Sequence, residues 1–154
     1  MNQSGDSKFE ILIVEDNPGD LELMKEAWED CRLSFNITVA RHGEEAMDIL
    51  FKRGGYSDAV VPDLIILDWN LPRRGGKEVL ADIKTEQQLR TIPVIVLTTS
   101  DQERDIVDAY KLNANCYITK PVGLEQFLET IKNLGYFWLS TARLPRKQKQ
   151  ETRP

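Results

Sequence analysis

A doubly wound α/β fold, built on a five-stranded parallel sheet of order 2-1-3-4-5, is what this sequence predicts. Three observations carry the prediction. Four short runs, Ile11-Leu12-Ile13-Val14, Leu64-Ile65-Ile66-Leu67, Val94-Ile95-Val96-Leu97 and Cys116-Tyr117-Ile118-Thr119, have strand length and are too apolar to keep a wet face. Such runs mark parallel strands covered on both sides. Segments of helical period separate them, and successive β-α units of this kind wind right-handed into one sheet. Finally, the runs stop at polar or ionisable residues: Glu15-Asp16, Asp68, Thr98 and Lys120. Ligands of an open parallel sheet sit at the carboxyl ends of its strands, so these stops are expected to converge.

Taken in order, the first strand is expected over Phe9 to Glu15. Asn17 can cap the helix that follows, and Pro18 suits its first position, where a missing N–H costs nothing. Leu21, Met24, Trp28 and Cys31 share one face of that helix. The second strand is read from Asn36 to Arg41 and the second helix from about Glu44 to Arg53, stopped by Gly54-Gly55. Tyr56 to Pro62 reads as loop and Asp63 to Asp68 as the third strand. Gly75-Gly76 precede a third helix that turns Val79, Leu80 and Ile83 inward. Pro93 opens the fourth strand, Gln102 to Leu112 form the fourth helix, Cys116 to Thr119 the fifth strand, and the fifth helix starts near Leu124.

The chain has 154 residues, 41% of them hydrophobic, which suits one soluble domain with a real core. No apolar run approaches the ~20 residues of a membrane span, and Met1 to Lys8 lacks the apolar stretch of a signal peptide. Two cysteines, Cys31 and Cys116, are too few for a disulfide framework, so a reducing cytoplasm is the expected location. The net charge of −5 argues against direct DNA binding. The charge is uneven: 15 basic and 24 acidic residues precede position 143, and five basic residues face one acidic residue from 143 onward. The expected organisation is a disordered tail over 1–8, one folded domain over 9–142 with an extended last helix, and a basic tail over 143–154. His42, the single histidine, is expected on the surface.

The converging stops define a chemistry. Two carboxylates within ~4 Å repel by ~4 kcal/mol at an effective dielectric of 20, so an acidic cluster wants a cation. Mg²⁺ fits, since it takes oxygen ligands and uses one or two carboxylates plus phosphate. The Asn70 carbonyl can add an oxygen if its loop turns back. Lys120 can offset charge on a phosphoryl oxygen, and Thr98 can donate a hydroxyl hydrogen bond. One carboxylate then serves as nucleophile, and Asp68, expected on the central strand, is the best placed.

Glu15-Asp16, Asp68-Trp69-Asn70-Leu71-Pro72, Thr98 and Lys120-Pro121, at these separations, resemble the response-regulator receiver family of two-component signalling, whose fold is flavodoxin-like. The resemblance covers residues 9 to about 135. It implies that Asp68 accepts a phosphoryl group from the phosphohistidine of a sensor histidine kinase. It implies that Asp16, Asp68 and the Asn70 carbonyl bind Mg²⁺, with Glu15 acting through water. Thr98 and Lys120 would contact the phosphoryl group, and Thr98 and Tyr117 would form a switch pair. It also raises the expectation that the Lys120–Pro121 peptide is cis. The sequence departs from the family in one place: Gly75 stands where most receivers have Asp before the matched Gly76. A closer resemblance, to small response regulators paired with cyanobacterial phytochrome histidine kinases, rests on Leu97-Thr98-Thr99-Ser100, Asn115 to Lys120 and Phe137 to Ala142.

In the last helix Leu124, Phe127, Leu128, Ile131 and Leu134 form one core stripe, and Tyr136-Phe137-Trp138-Leu139 follow without a break. Successive helical residues point ~100° apart, so four in a row cannot share one core. A homodimer is therefore expected through helix four, strand five and helix five, with Tyr110, Tyr136, Phe137 and Trp138 at the interface and Leu112 extending the patch. The whole reads as a stand-alone phosphoacceptor, a signalling protein and not an enzyme, whose state a downstream protein reads. Two rivals are an aspartyl-phosphate hydrolase of haloacid-dehalogenase type and a non-phosphorylated interaction module. Asn70 stands where the first would need a second Asp, and Asp16, Asp68 and Lys120 together argue against the second.

Overall fold

The computed structural model describes residues 8–145. Its five parallel strands are β1 (Phe9–Val14), β2 (Phe35–Ala40), β3 (Leu64–Leu67), β4 (Val94–Thr98) and β5 (Cys116–Thr119), ordered β2-β1-β3-β4-β5. The helices are α1 (Pro18–Asp30), α2 (Gly43–Leu50), α3 (Gly76–Thr85), α4 (Glu103–Lys111) and α5 (Leu124–Tyr136). A 3-10 turn covers Gly54–Tyr56, and a π-helical turn, Phe137–Thr141, prolongs α5. The strand order and alternation are those expected from the sequence. The proposed tails lie outside the described residues except for Lys8 and positions 143–145.

The two-residue period of the strands divides their apolar runs between two cores. Leu12, Val14, Ile65, Leu67, Val94 and Val96 pack with α2, α3 and Ala109 of α4. Ile11, Ile13, Leu64, Ile66, Ile95 and Leu97 pack with α1 and α5. At β2 and β5, the edges of the sheet, burial thins out, and β2 alternates between half-buried and exposed residues.

Capping explains several boundaries. Asn17 Oδ1 accepts from Asp20 N at 3.1 Å, and Pro18 occupies the first turn of α1. His42 is the cap of α2, its Nδ1 accepting from Glu45 N at 3.1 Å. This role escaped the sequence reading, which assigned His42 no structural function. Gly75, the N-cap of α3, has no side chain to cap the helix. Glu78 Oε1 reaches back to accept from the Gly75 N–H at 3.3 Å. Trp28 ties α1 to α5: it is fully buried and donates from Nε1 to the Ile131 carbonyl at 2.9 Å. Gly135 makes that approach possible, since a Cβ there would lie 2.6 Å from Trp28 Nε1.

Three expectations fail. Among the described residues no peptide bond is cis, so Lys120–Pro121 is trans; the Lys120 side chain reaches its carboxylate partners without it. Leu124, assigned to the core stripe, is 58% exposed, because it opens α5 above the rim of the core. Leu112, assigned to an outer patch, packs against the α2–α3 core. At the end of α5 the aromatic run divides. Leu139 is buried and Trp138 packs against the α1–α5 core, while Tyr136 and Phe137 stay exposed. The wider π-helical turn changes the angle between successive side chains and so allows this division.

Candidate functional site

The parallel register delivers the site. Val14 pairs with Leu67, Leu67 with Val96, and Thr98 with Thr119, so the residues that follow β1, β3 and β5 emerge at one end of the sheet. Backbone bonds extend the ladder into the site itself. Glu15 N donates to Ala40 O at 2.9 Å, Asp68 N to Val14 O at 3.0 Å, and Lys120 N to Thr98 O at 2.7 Å. Three of the site residues are thus fixed by the sheet before their side chains make any contact.

One carboxylate oxygen from each of Glu15, Asp16 and Asp68 lies within 4.8 Å of the others. Glu15 and Asp68 are buried and Asp16 is exposed. Oxygen donors at this spacing, with one open side, fit a hard divalent cation of the Mg²⁺ kind. Asp68 Oδ1 accepts from the Asn70 N–H at 3.2 Å, which sets the turn of the loop beyond β3. Gly76 closes that loop: its N–H donates to Trp69 O at 3.0 Å, and a Cβ there would lie 2.5 Å from Asp68 O and 2.7 Å from Trp69 Cα. Only glycine lets α3 start this close to the acidic strand end.

The Lys120 ammonium donates to Glu15 Oε1 at 2.7 Å and to Asp20 Oδ2 at 2.8 Å. Its side chain is 7% exposed. The resemblance places this ammonium at a phosphoryl group on Asp68, and no motif in the sequence marks Asp20 as its partner. A buried carboxylate such as Glu15 is costly without a counter-ion, and Lys120 supplies one. Burial works to lower the pKa of Lys120, but its bonds to Asp20 and Glu15 and the charge on Asp68 more than offset this and hold it above the ordinary lysine value. Burial lifts the Glu15 carboxyl despite the Lys120 bond, and the charge on Asp68 adds to the rise.

Thr98 is fully buried, and its Oγ1 accepts a long bond, 3.5 Å, from Ser100 N. The Tyr117 hydroxyl donates to Ser100 O at 2.9 Å, and its ring meets Trp69 edge-on at 6.5 Å. Burial raises the pKa of this phenol. The Tyr117 N–H donates to the Tyr110 hydroxyl at 3.1 Å, tying the edge strand to α4. Thr98 and Tyr117 therefore meet through Ser100, a residue the sequence reading did not single out. Ser100 is itself anchored, its Oγ donating to Asp105 Oδ2 at 2.6 Å.

The four residues assigned to a dimer interface are dispersed. Trp138 faces its own core, whereas Tyr136, Phe137 and Tyr110 are 49%, 52% and 49% exposed. Two open grooves, about 530 and 780 Å³, lie elsewhere and contain no member of the acidic cluster.

A parallel five-stranded sheet with three carboxylates, a buried hydroxyl and an ammonium at one end puts the chain in the doubly wound α/β class, with a donor set that could hold a divalent cation. The family model for the response regulator receiver domain matches residues 11–132, and the chain belongs to that family. Response regulator Rcp1 of Synechocystis sp. is 41% identical over 135 residues, spanning 88% of this chain and 92% of Rcp1. The crystal structure of the phosphorylated cyanobacterial phytochrome response regulator RcpA superposes with a TM-score of 0.87 at 46% identity, covering 90% of this chain and 99% of RcpA. The Mn²⁺-bound form of Rcp1 gives a TM-score of 0.87 at 40% identity, covering 89% and 99% of the two chains. As a receiver-domain protein the chain is a two-component signalling protein with the acidic cluster of a divalent-metal site. Among the described residues no helix is long and apolar enough to cross a membrane.

Proposed function

We propose that this protein is a response regulator that accepts a phosphoryl group on Asp68 from a sensor histidine kinase of the phytochrome type. The observation that carries the reading is the acidic triad: oxygens of Glu15, Asp16 and Asp68 within 4.8 Å, on the sheet end that also holds Thr98 and Lys120. A carboxylate oxygen of Asp68 attacks the donor phosphorus. The donor's P–N bond breaks, its electron pair stays on the histidine nitrogen, and an acyl phosphate remains on Asp68. Positioning and charge neutralisation supply most of the catalysis in such a transfer. Asp16, Asp68 and the Asn70 carbonyl would hold Mg²⁺, with Glu15 acting through water; when bound, the ion neutralises charge on the transferring group. The Thr98 hydroxyl and the Lys120 ammonium take phosphoryl oxygens. Tyr117, bonded to the loop that carries Ser100, then passes the change to the α4–β5–α5 surface. The phytochrome pairing is supported by the relatedness to Rcp1 and RcpA.

The same surface supports a homodimer or a downstream protein partner. Val107 and Tyr110 on α4, Val122 just before α5, Leu124 at its start and Phe137 just past its end are all exposed. Exposed large apolar side chains of this kind are candidate contacts for a partner. For the phosphoacceptor role, the test is incubation with acetyl phosphate and Mg²⁺ followed by intact-mass measurement. The expected result is one phosphoryl group on the protein and none on Asp68→Asn. Equal labelling of the variant excludes Asp68.

A further inference from the structure

Asp20 belongs to none of the motifs that define the site, yet it holds one of the two bonds that fix the Lys120 ammonium. It stands in the first turn of α1, where the Asn17 side chain caps its N–H. From there Oδ2 reaches Nζ at 2.8 Å, beside Glu15 Oε1 at 2.7 Å. Lys120 is nearly enclosed, whereas the Asp20 side chain keeps 24% exposure, so the second bond ties a buried charge to the rim of the site. Among the described residues, these two carboxylates are the ion-pair partners of Lys120.

We propose that Asp20 is a positioning residue that holds the Lys120 ammonium back from Asp68 and so sets how readily the phosphorylated state forms. This inference rests on the reading of Lys120 as a phosphoryl-contacting group. An ammonium has three donors. Two are committed to Glu15 and Asp20, and both bonds have charge-assisted length. When Asp68 carries a phosphoryl group, its added negative charge competes with these carboxylates for the same cation. Glu15 is buried with Lys120 as its counter-ion and cannot easily release it. Asp20 lies at the rim, where water can replace the ammonium, so Asp20 is the partner that lets go. The bond to Asp20 therefore favours the unphosphorylated protein, by an amount equal to the difference in its strength between the two states.

Beryllofluoride, a phosphoryl analogue that needs no kinase, reads this directly at saturating Mg²⁺. Asp20→Asn should bind it about three- to tenfold more tightly than wild type, and Asp20→Glu should return towards the wild-type value. A role confined to capping or packing of α1 would lower thermal stability without tightening the analogue. In a Lys120→Met background Asp20→Asn should leave the affinity unchanged, because coupled residues are non-additive. Unaltered or weaker binding by Asp20→Asn, or equal tightening with and without Lys120, overturns the proposal while the phosphoacceptor reading stands. Failure of the wild-type protein to bind beryllofluoride, with no labelling by acetyl phosphate, overturns both.

Discussion

Lys120 shows how much of the site depends on single side chains. Its bonds to Glu15 and Asp20 hold its pKa above the ordinary lysine value. A lysine raised in this way contributes stability that is complete below about pH 10.4 and is lost as pH rises through the higher folded value. Lys120→Met should therefore unfold in less urea at neutral pH, by about 3 kcal/mol, since it strands a buried carboxylate. The deficit relative to wild type should narrow above about pH 10.4; a constant gap across that range would mean that Lys120 is not held by its partners. Glu15, Asp16, Asp68, Thr98 and Lys120 were legible in the sequence because each ends or follows an apolar run, and the ends of parallel strands must coincide. Asp20 and Ser100 were not, because their roles depend on where another residue's side chain or loop comes to rest. Asp20 is one more acid in a helix that also carries Glu22, Glu26, Glu29 and Asp30, and Ser100 offers a backbone carbonyl, a group that every residue carries.

At the scale of elements, the contact between α1 and α5 turns on one small residue. Gly135→Ala places a Cβ 2.6 Å from Trp28 Nε1, and Trp28 is fully buried and cannot move aside. Overpacking costs typically 1–3 kcal/mol, against a gain of ~1 kcal/mol in helix propensity, so a net loss of about 1 kcal/mol is expected in urea unfolding. A more stable variant would show that the interface has room. The strands and helices themselves were read correctly in number and order, with ends displaced by one to a few residues, as with α2, read to Arg53 but ending at Leu50. The last helix was read less well. Its periodicity showed that four aromatic and aliphatic residues could not share one core, but not which would turn inward. Trp138 and Leu139 do so through a π-helical turn, a local widening with no signature in composition.

For the whole molecule, the acidic cluster links stability to metal. Mg²⁺ binding to the native state alone should add ~2.7 kcal/mol at a hundredfold excess over its dissociation constant. Thermal unfolding should show that rise in wild type and not in Asp16→Ala; an undiminished rise in the variant would place the metal elsewhere. Association is a separate property of the whole surface. Phe137 and Tyr110, both exposed, are better anchors for a second copy than Trp138, which packs inward. Replacing both by Ala should lower the mass seen by light scattering at micromolar concentration, and an unchanged mass would remove this face from any dimer. The strand order needed no tertiary information, since apolar runs alternating with helical periods leave few topologies open. The central claim, that Asp68 is the phosphoacceptor, has a direct chemical test. Protein treated with acetyl phosphate and Mg²⁺ is reduced with borohydride, which converts an aspartyl phosphate to homoserine, and its peptides are sequenced by mass spectrometry. Homoserine in place of Asp68, dependent on acetyl phosphate, is the expected result; homoserine in place of another acidic residue, with Asp68 unmodified, would contradict it.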